Sequence, residues 1–342
     1  MHWTLFCRVI DNLGDAGVCW RLARALAARG QQVRLVIDDA SALAWMAPGG
    51  AADVQVQLWH ELDAGADSGD VVVEAFGCDP PAAFVAGMAA RAQAPVWINL
   101  EYLSAEPYVE RSHGLPSPQT NGLTKWFFFP GFTPRTGGLL REPHVLHEPA
   151  AGDGAAFLAA LGCTPAPGER VASLFCYDNP ALPALLQALA AQPTLLLLTP
   201  GAAQRQVQVA PPGVRLARLP WLSQVDFDRL LRACDLNFVR GEDSLVRALW
   251  AGKPFVWQAY PQHDGAHAAK LQALLDQWNP PDDVAALWRA WNGVGTLPWP
   301  GLPPLQPIWQ QATTDWRRRL TAQTSLADQL QAFAYGKARI GC

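Results

Sequence analysis

The sequence predicts an α/β protein built from two Rossmann-like, parallel-sheet domains. Three observations carry that prediction. Short apolar runs alternate with stretches of helical apolar spacing, which is the βαβα order of a parallel sheet. The 342 residues point to two domains of ordinary size, each with its own core. Polar, glycine-bearing turns recur just after the apolar runs, where parallel sheets bind ligands. Half of the residues are hydrophobic, so the chain is globular, and a net charge of −4 gives no global attraction to nucleic acid or membrane.

Residues 3–10 read as the first strand, and Asp11-Asn-Leu-Gly-Asp-Ala-Gly17 as the turn at its end. The helix that follows has Val18, Leu22, Ala25 and Leu26 on one face and stops at Gly30. Residues 33–37 form the second strand, Leu43–Met46 a short helix, and Val54–Leu58 the third strand. A further unit runs from a strand at 70–74 through a helix over Ala82–Ala90 to a strand at 95–100. From 99 to 133 the chain is too polar and proline-rich for regular structure, except that 126–129 read as a buried strand. Long ordered loops of this kind tend to carry function. His113 within it fits a base or a phosphate ligand, and equally a hydrogen-bonded loop histidine.

The 11–17 turn lacks the GxGxxG dinucleotide fingerprint; Gly14 and Gly17 are spaced GxxG and two aspartates flank them. Carboxylates are poor partners for a pyrophosphate and good partners for a cation, above all a planar guanidinium. Asp11 and Asp15 fit that role, and they equally fit an Asx-turn and a helix cap.

Residues 141–154, with their histidines, prolines and small residues, read as an interdomain linker. The second domain then runs through a short helix at 156–161, a strand at 170–175, a helix at 182–190 and strands at 194–198 and 214–219. A helix over 227–233 leads to the most informative stretch. There, a strand at 236–239 ends in Arg240-Gly-Glu-Asp-Ser244, a helix runs to Gly252, and a strand follows at 255–257. Ser244 is the expected N-cap. A helix N-terminus at the end of a parallel strand suits a phosphate, and Arg240 suits a diphosphate. Glu242 and Asp243 would repel one unless Glu242 points elsewhere, and as first-turn acids they also complement the helix dipole. A further helix enters after 260–267 and runs through Leu274. The strand ends of this half carry Tyr177, Thr199, Gln224, Arg240 to Ser244, and 258–262, the expected rim of a ligand site. Tyr177 and Trp221 have the shape to stack a base.

Seven cysteines show no CxxC and no zinc spacing, which fits reduced thiols and a cytoplasmic location. Arg8 and Asp11 come too early for a signal peptide, and no apolar run reaches the roughly 20 residues of a membrane span. The fifteen tryptophans read as core or interdomain packing.

Two α/β domains joined by one linker, with polar rims, match the GT-B glycosyltransferase fold, in which two Rossmann-like domains face each other across a cleft. The expected division is 1–145 for an acceptor-binding domain, 155–322 for a nucleotide-sugar domain, and 323–342 for a helix crossing back to the first. Nearly the whole chain resembles the EarP family of protein-arginine rhamnosyltransferases. The resemblance rests on Asp11-Asn-x-Gly-Asp-x-Gly-Val, Glu101-Tyr-Leu-Ser-Ala-Glu106, His113-Gly-Leu-Pro-Ser-Pro, Phe127-Phe-Phe-Pro-Gly-Phe-Thr133 and Thr136-Gly-Gly-Leu-Leu-Arg-Glu142. It also rests on the Arg240-Gly-Glu-Asp-Ser block with Ala251-Gly-Lys-Pro-Phe-Val-Trp257. Leu13, Ala16 and Cys176-Tyr177-Asp178 depart from the family's usual residues, and no charged motif position is lost.

The resemblance implies an inverting transfer of L-rhamnose from dTDP-β-L-rhamnose to an arginine side chain of translation elongation factor P, which activates that factor for ribosomes stalled at polyproline. It implies Asp11 and Asp15 on the acceptor side and Glu242 as an essential glutamate. For the donor it implies Phe175, Tyr177, Trp221, Gln224, Arg240, Asp243 and Ser244, to which the turn residue Gly241 and the rim residue Gln258 are added. No metal or other cofactor is expected, and neither nucleic acid nor membrane is an expected partner. The chemistry is consistent: a guanidinium with a pKa above about 12 is a poor nucleophile until a carboxylate holds it or takes its proton. Asp15 is assigned as base, Asp11 as its orienting partner, and Glu242 as organiser of the sugar or the aspartates. The competing readings are a GT-B transferase with another acceptor and a catalytically silent module that binds elongation factor P. A nicotinamide-dependent reductase is set back by the missing glycine fingerprint.

Overall fold

The continuous apolar runs become strands buried on both faces. In β9 (Thr194–Leu198), for example, every residue is buried, as expected of a parallel strand covered by helices on each side. The computed structural model describes residues 1–10, 13–63, 65–147, 150, 152–261, 265–295 and 299–340. The chain divides into two units, Met1–Glu142 with Ala322–Cys342, and Pro143–Thr321.

The first unit holds β1 (His2–Cys7), β2 (Gln32–Ile37), β3 (Val54–Leu58), β4 (Val71–Ala75), β5 (Val96–Leu100), β6 (Pro116–Pro118) and β7 (Thr124–Phe128). They lie in the order β3-β2-β1-β4-β5-β7-β6, with only β6 antiparallel to its neighbour. Its helices are α1 (Gly14–Ala27), α2 (Leu43–Met46), α3 (Ala82–Ala90) and α4 (Tyr108–Ser112). Alternation along β1 sends Trp3, Leu5 and Cys7 to the face covered by Cys19, Trp20, Leu22 and Leu26 of α1. Phe6 goes to the opposite face with Val36, Val72 and Phe84.

The second unit holds β8 (Arg170–Leu174), β9, β10 (Val214–Arg218), β11 (Leu236–Arg240) and β12 (Phe255–Gln258), all parallel, in the order β10-β9-β8-β11-β12. Its helices are α5 (Asp153–Ala160), α6 (Leu182–Leu189), α7 (Ala202–Gln206), α8 (Gln224–Ala233), α9 (Gly241–Ala251), α10 (Ala266–Trp278), α11 (Asp282–Trp291) and α12 (Gln310–Thr321). Phe255 of β12 stacks with Trp278 and Trp316 and meets Trp288 edge-on, so these tryptophans build this unit's interior. The last helix, α13 (Leu326–Ile340), belongs to the first unit. It buries Leu326, Leu330 and Ala334 against the α1 side of the sheet, and its Asp328 bonds to Arg29 Nε at 2.5 Å.

Several expected boundaries move. The stretch expected to be irregular contains α4 and β6, tied to β7 by Gly114 N–H to the Phe127 carbonyl (2.8 Å) and Phe127 N–H to the Leu115 carbonyl (3.0 Å). Pro116 and Pro118 are compatible with a strand because β6 is the sheet's edge, where a missing N–H costs nothing. Helix α8 starts at Gln224 rather than 227, because the Ser223 hydroxyl caps it by accepting from Asp226 N–H at 3.1 Å. The expected linker contains a 3₁₀ turn, Pro143–Leu146, and the first residues of α5.

Candidate functional site

In the second unit the strand order reverses between β8 and β11: β9 and β10 are laid down on one side of β8, β11 and β12 on the other. The carboxyl ends of such a pair leave an open crevice, the usual ligand site of parallel sheets. Phe175 and Tyr177 follow β8, and Arg240 ends β11. The Arg240 guanidinium lies 4.7 Å from the Phe175 ring centre and 4.2 Å from that of Tyr177. This aromatic platform holds the cation by cation–π attraction and limits its rotamers. Phe175 is braced edge-on by Phe227 at 5.7 Å, and Tyr177 packs edge-on against the half-exposed Tyr260 at 5.3 Å. Gln258, buried at the end of β12, fixes the same loop by accepting from Tyr177 N–H at 2.9 Å. The Thr199 hydroxyl turns inward and donates to the Leu174 carbonyl at 3.0 Å. Cys176 sits between the two ring residues, and burial pushes its thiol up to about 12, so it supplies no thiolate at neutral pH.

The turn from β11 into α9 differs from expectation. The N-cap is Arg240, in extended backbone, and the helix already begins at Gly241, so Ser244 lies inside the first turn rather than capping it. Gly241 makes this possible. Its φ of +69° lies in the left-handed region where a side chain would be strained, and it turns the chain into the helix one residue after the strand. The Gly241 carbonyl accepts from Trp257 Nε1 at 2.8 Å, which fastens the turn to β12. The helix therefore presents the N-terminal backbone of Gly241, Glu242 and Asp243 at the rim beside Arg240, at the positive end of its dipole. Glu242 is ion-paired with Lys270 of α10. Nearly two turns into α9, Arg247 makes a buried two-pronged ion pair with Asp228 of α8, at 2.8 and 2.6 Å. Gln224 opens α8 and is buried, while Trp221, just before it, is 48% exposed. Asp243 is half-buried.

The first unit has a matching reversal between β1 and β4. Asp15 lies in the first turn of α1, 3% exposed, and its Oδ2 accepts from Ile10 N–H at 2.8 Å, closing the loop after β1. Asp11 and Gln262 lie outside the described residues. Beyond β4, Phe76, Gly77 and Asp79 all adopt positive φ (59°, 63° and 48°). For a bulky residue such as Phe76 that is a strained conformation, of the kind that clusters at functional sites. Its ring stacks on Tyr102 at 4.3 Å, and Gly77 N–H is held by the Asn99 side chain at 3.1 Å. Asn99 also donates to Glu101 at 2.7 Å, although burial still pushes the Glu101 carboxyl above its usual range. Glu74 is fully buried; Lys125 (2.6 Å) and Trp97 Nε1 (3.1 Å) hold it, and desolvation raises its pKa.

His113 makes local contacts. Its Nδ1 accepts from Phe129 N–H at 3.1 Å, its ring meets Phe128 edge-on at 4.6 Å, and burial lowers its pKa below the usual 6.5. A lowered folded pKa means the unfolded chain binds the proton first, so stability is retained above about 6.5 and lost as pH falls through the folded value. Melting temperatures between pH 5 and 7 should therefore fall toward acid, with a shallower fall in His113→Asn.

Among the described residues, no three His, Cys, Asp or Glu side chains gather as a metal site. None of the helices there is long and apolar enough to cross a membrane. Sequence reasoning missed Lys270, the Arg247–Asp228 pair and the strained Phe76. Only the glycine after Phe76 offered a local signal.

The second unit thus offers a guanidinium on an aromatic platform beside a helix N-terminus, chemistry suited to a nucleoside diphosphate. The first offers a buried carboxylate at a strand end. Comparison with known proteins agrees on what kind of molecule combines the two. A family model described as elongation factor P (EF-P) rhamnosyltransferase EarP matches residues 3–335. The protein-arginine rhamnosyltransferase of Pseudomonas putida is 45% identical, covering 97% of this chain and 98% of its own. A solved structure described as the structural basis for EarP-mediated arginine glycosylation of translation elongation factor EF-P is 33% identical, with TM-score 0.66, covering 98% of this chain and 99% of the other. At the level of fold alone, the calicheamicin glycosyltransferase CalG4 superimposes with TM-score 0.55 at 16% identity, covering 98% and 99% of the two chains. The architecture is therefore that of the GT-B glycosyltransferases. With a family match along almost its entire length and relatives this similar, the chain belongs to the EarP family of elongation factor P rhamnosyltransferases.

Proposed function

We propose that this protein is a protein-arginine rhamnosyltransferase that moves L-rhamnose from dTDP-β-L-rhamnose, with inversion, to an arginine of translation elongation factor P in the cytoplasm. The observation that carries the reading is the Arg240 guanidinium held over Phe175 and Tyr177 beside the N-terminus of α9. As the glycosidic bond breaks, the departing dTDP gains negative charge. Arg240 and the backbone of the first turn at Gly241, Asp243 and Ser244 stabilise it without a metal. Trp221 and Gln224 complete the nucleotide pocket. On the acceptor side, Asp15 takes the proton of the arginine nitrogen as the new carbon–nitrogen bond forms, with Asp11 orienting the guanidinium and Glu242 organising the sugar.

Mass spectrometry of elongation factor P incubated with the protein and dTDP-rhamnose tests this directly. The expected result is a gain of one deoxyhexose on a single arginine. Binding of the factor with no transfer would make the chain a silent binding module instead. The donor half has its own test: Arg240→Ala should weaken dTDP binding by about 1.5–3 kcal/mol, the worth of a charge-assisted hydrogen bond. Unchanged calorimetric affinity in a folded variant would remove Arg240 from the donor site.

A further inference from the structure

Glu242 and Asp243 occupy the first turn of the helix whose N-terminus is the proposed diphosphate site. A carboxylate there opposes a diphosphate, and repulsion between unit charges a few ångströms apart is large enough to abolish useful affinity. The structure contains a counter-charge that no local motif announces. Lys270, in the second turn of α10, reaches back across 28 positions of sequence and pairs with Glu242 Oε1. Both side chains are mostly buried, 25% exposed for Lys270 and 20% for Glu242. A pair so far out of water stabilises a fold little, because desolvation offsets the attraction and apolar residues of similar volume do as well. The unit already has a better-shielded lock between neighbouring helices in Arg247–Asp228. Stability therefore gives no reason for Lys270, whereas its place beside a first-turn acid gives one.

We propose that Lys270 is a positioning residue of the donor site, which draws the Glu242 carboxylate toward α10 and cancels its charge so that the diphosphate of a dTDP-sugar can settle at the N-terminus of α9. The inference rests on the donor reading above and deepens it. Lys270 acts through Glu242, not on the phosphates.

Calorimetry with dTDP on the full chain and three sets of variants separates the cases. Lys270→Met should weaken dTDP about 10- to 100-fold, the scale of one uncancelled charge roughly 6–12 Å from the phosphates at an effective dielectric of about 20. Lys270→Arg, which keeps the charge, should stay near the parent. Adding Glu242→Gln to Lys270→Met should restore the affinity, because the repelling carboxylate is gone; a lysine that mattered only for folding would show no such rescue. Lys270→Gln replaces Lys270→Met should the latter not fold, with the same weakening expected. Parent-like affinity in the neutral variants overturns the proposal. So does a double variant as weak as the single, which would make Lys270 a direct phosphate ligand. A parent chain that takes up no dTDP would instead sink the donor reading itself.

Discussion

Asp15→Asn is expected to lower turnover by about 10²- to 10⁴-fold, the range lost with a general base. Two features make this substitution a clean probe. The asparagine side-chain carbonyl can still accept from Ile10 N–H, the 2.8 Å bond that closes the loop after β1, so the local fold should survive. The proposed donor residues belong to the other unit, so dTDP affinity should be retained. What changes is charge and basicity: an amide neither pairs with a guanidinium nor takes its proton. If the carboxylate merely closed the loop, asparagine would replace it well, since the two are comparable in that role. Single-turnover transfer to elongation factor P decides between them, and a variant working near the parent rate would leave the proposed mechanism without its base.

Asp228→Ala should destabilise the second unit by about 3–5 kcal/mol, the cost of stranding one member of a buried ion pair. Arg247 and Asp228 are 2% and 6% exposed, and the fork of two short bonds ties α9 to α8. Those are the helices whose first turns carry Ser244 and Gln224. For a unit of this size the loss corresponds to a fall in melting temperature of about 10 °C. The paired replacement Asp228→Leu with Arg247→Met should recover most of it, because the penalty lies in leaving a charge unanswered rather than in losing the attraction. Thermal unfolding followed by tryptophan fluorescence is a suitable measurement, as Trp278, Trp288 and Trp316 lie in this unit's core. An Asp228→Ala protein melting within a degree or two of the parent would show that the pair is not the lock described.

What could be read directly from the chain is local or motif-borne. Strands such as 194–198 announce themselves because a strand covered on both faces reads as a near-continuous apolar run. The turns after β1 and β11 announce themselves because glycines and charges cannot continue a buried strand. The family was legible because its motifs are dense and charged, and dense charged motifs seldom arise from packing needs. Tertiary structure decided the rest. Arg240 lies some sixty residues beyond Phe175 and Tyr177, and it meets them only because β8 and β11 are neighbours in the order β10-β9-β8-β11-β12. Ser244 has the chemistry of a cap, but Gly241 accepts a positive φ and starts the helix four residues earlier, with Arg240 as the N-cap. His113 fits a base, a phosphate ligand or a hydrogen-bonded loop residue equally, and only the fold shows that its Nδ1 accepts from Phe129 N–H. Lys270 carried no signal at all: on α10 it is one polar residue among several, and its meaning comes from facing Glu242. Periodicity records what each residue needs of its own element. Which charge answers which, and which ring lies under which cation, depends on how distant elements are brought together, and no local pattern encodes that.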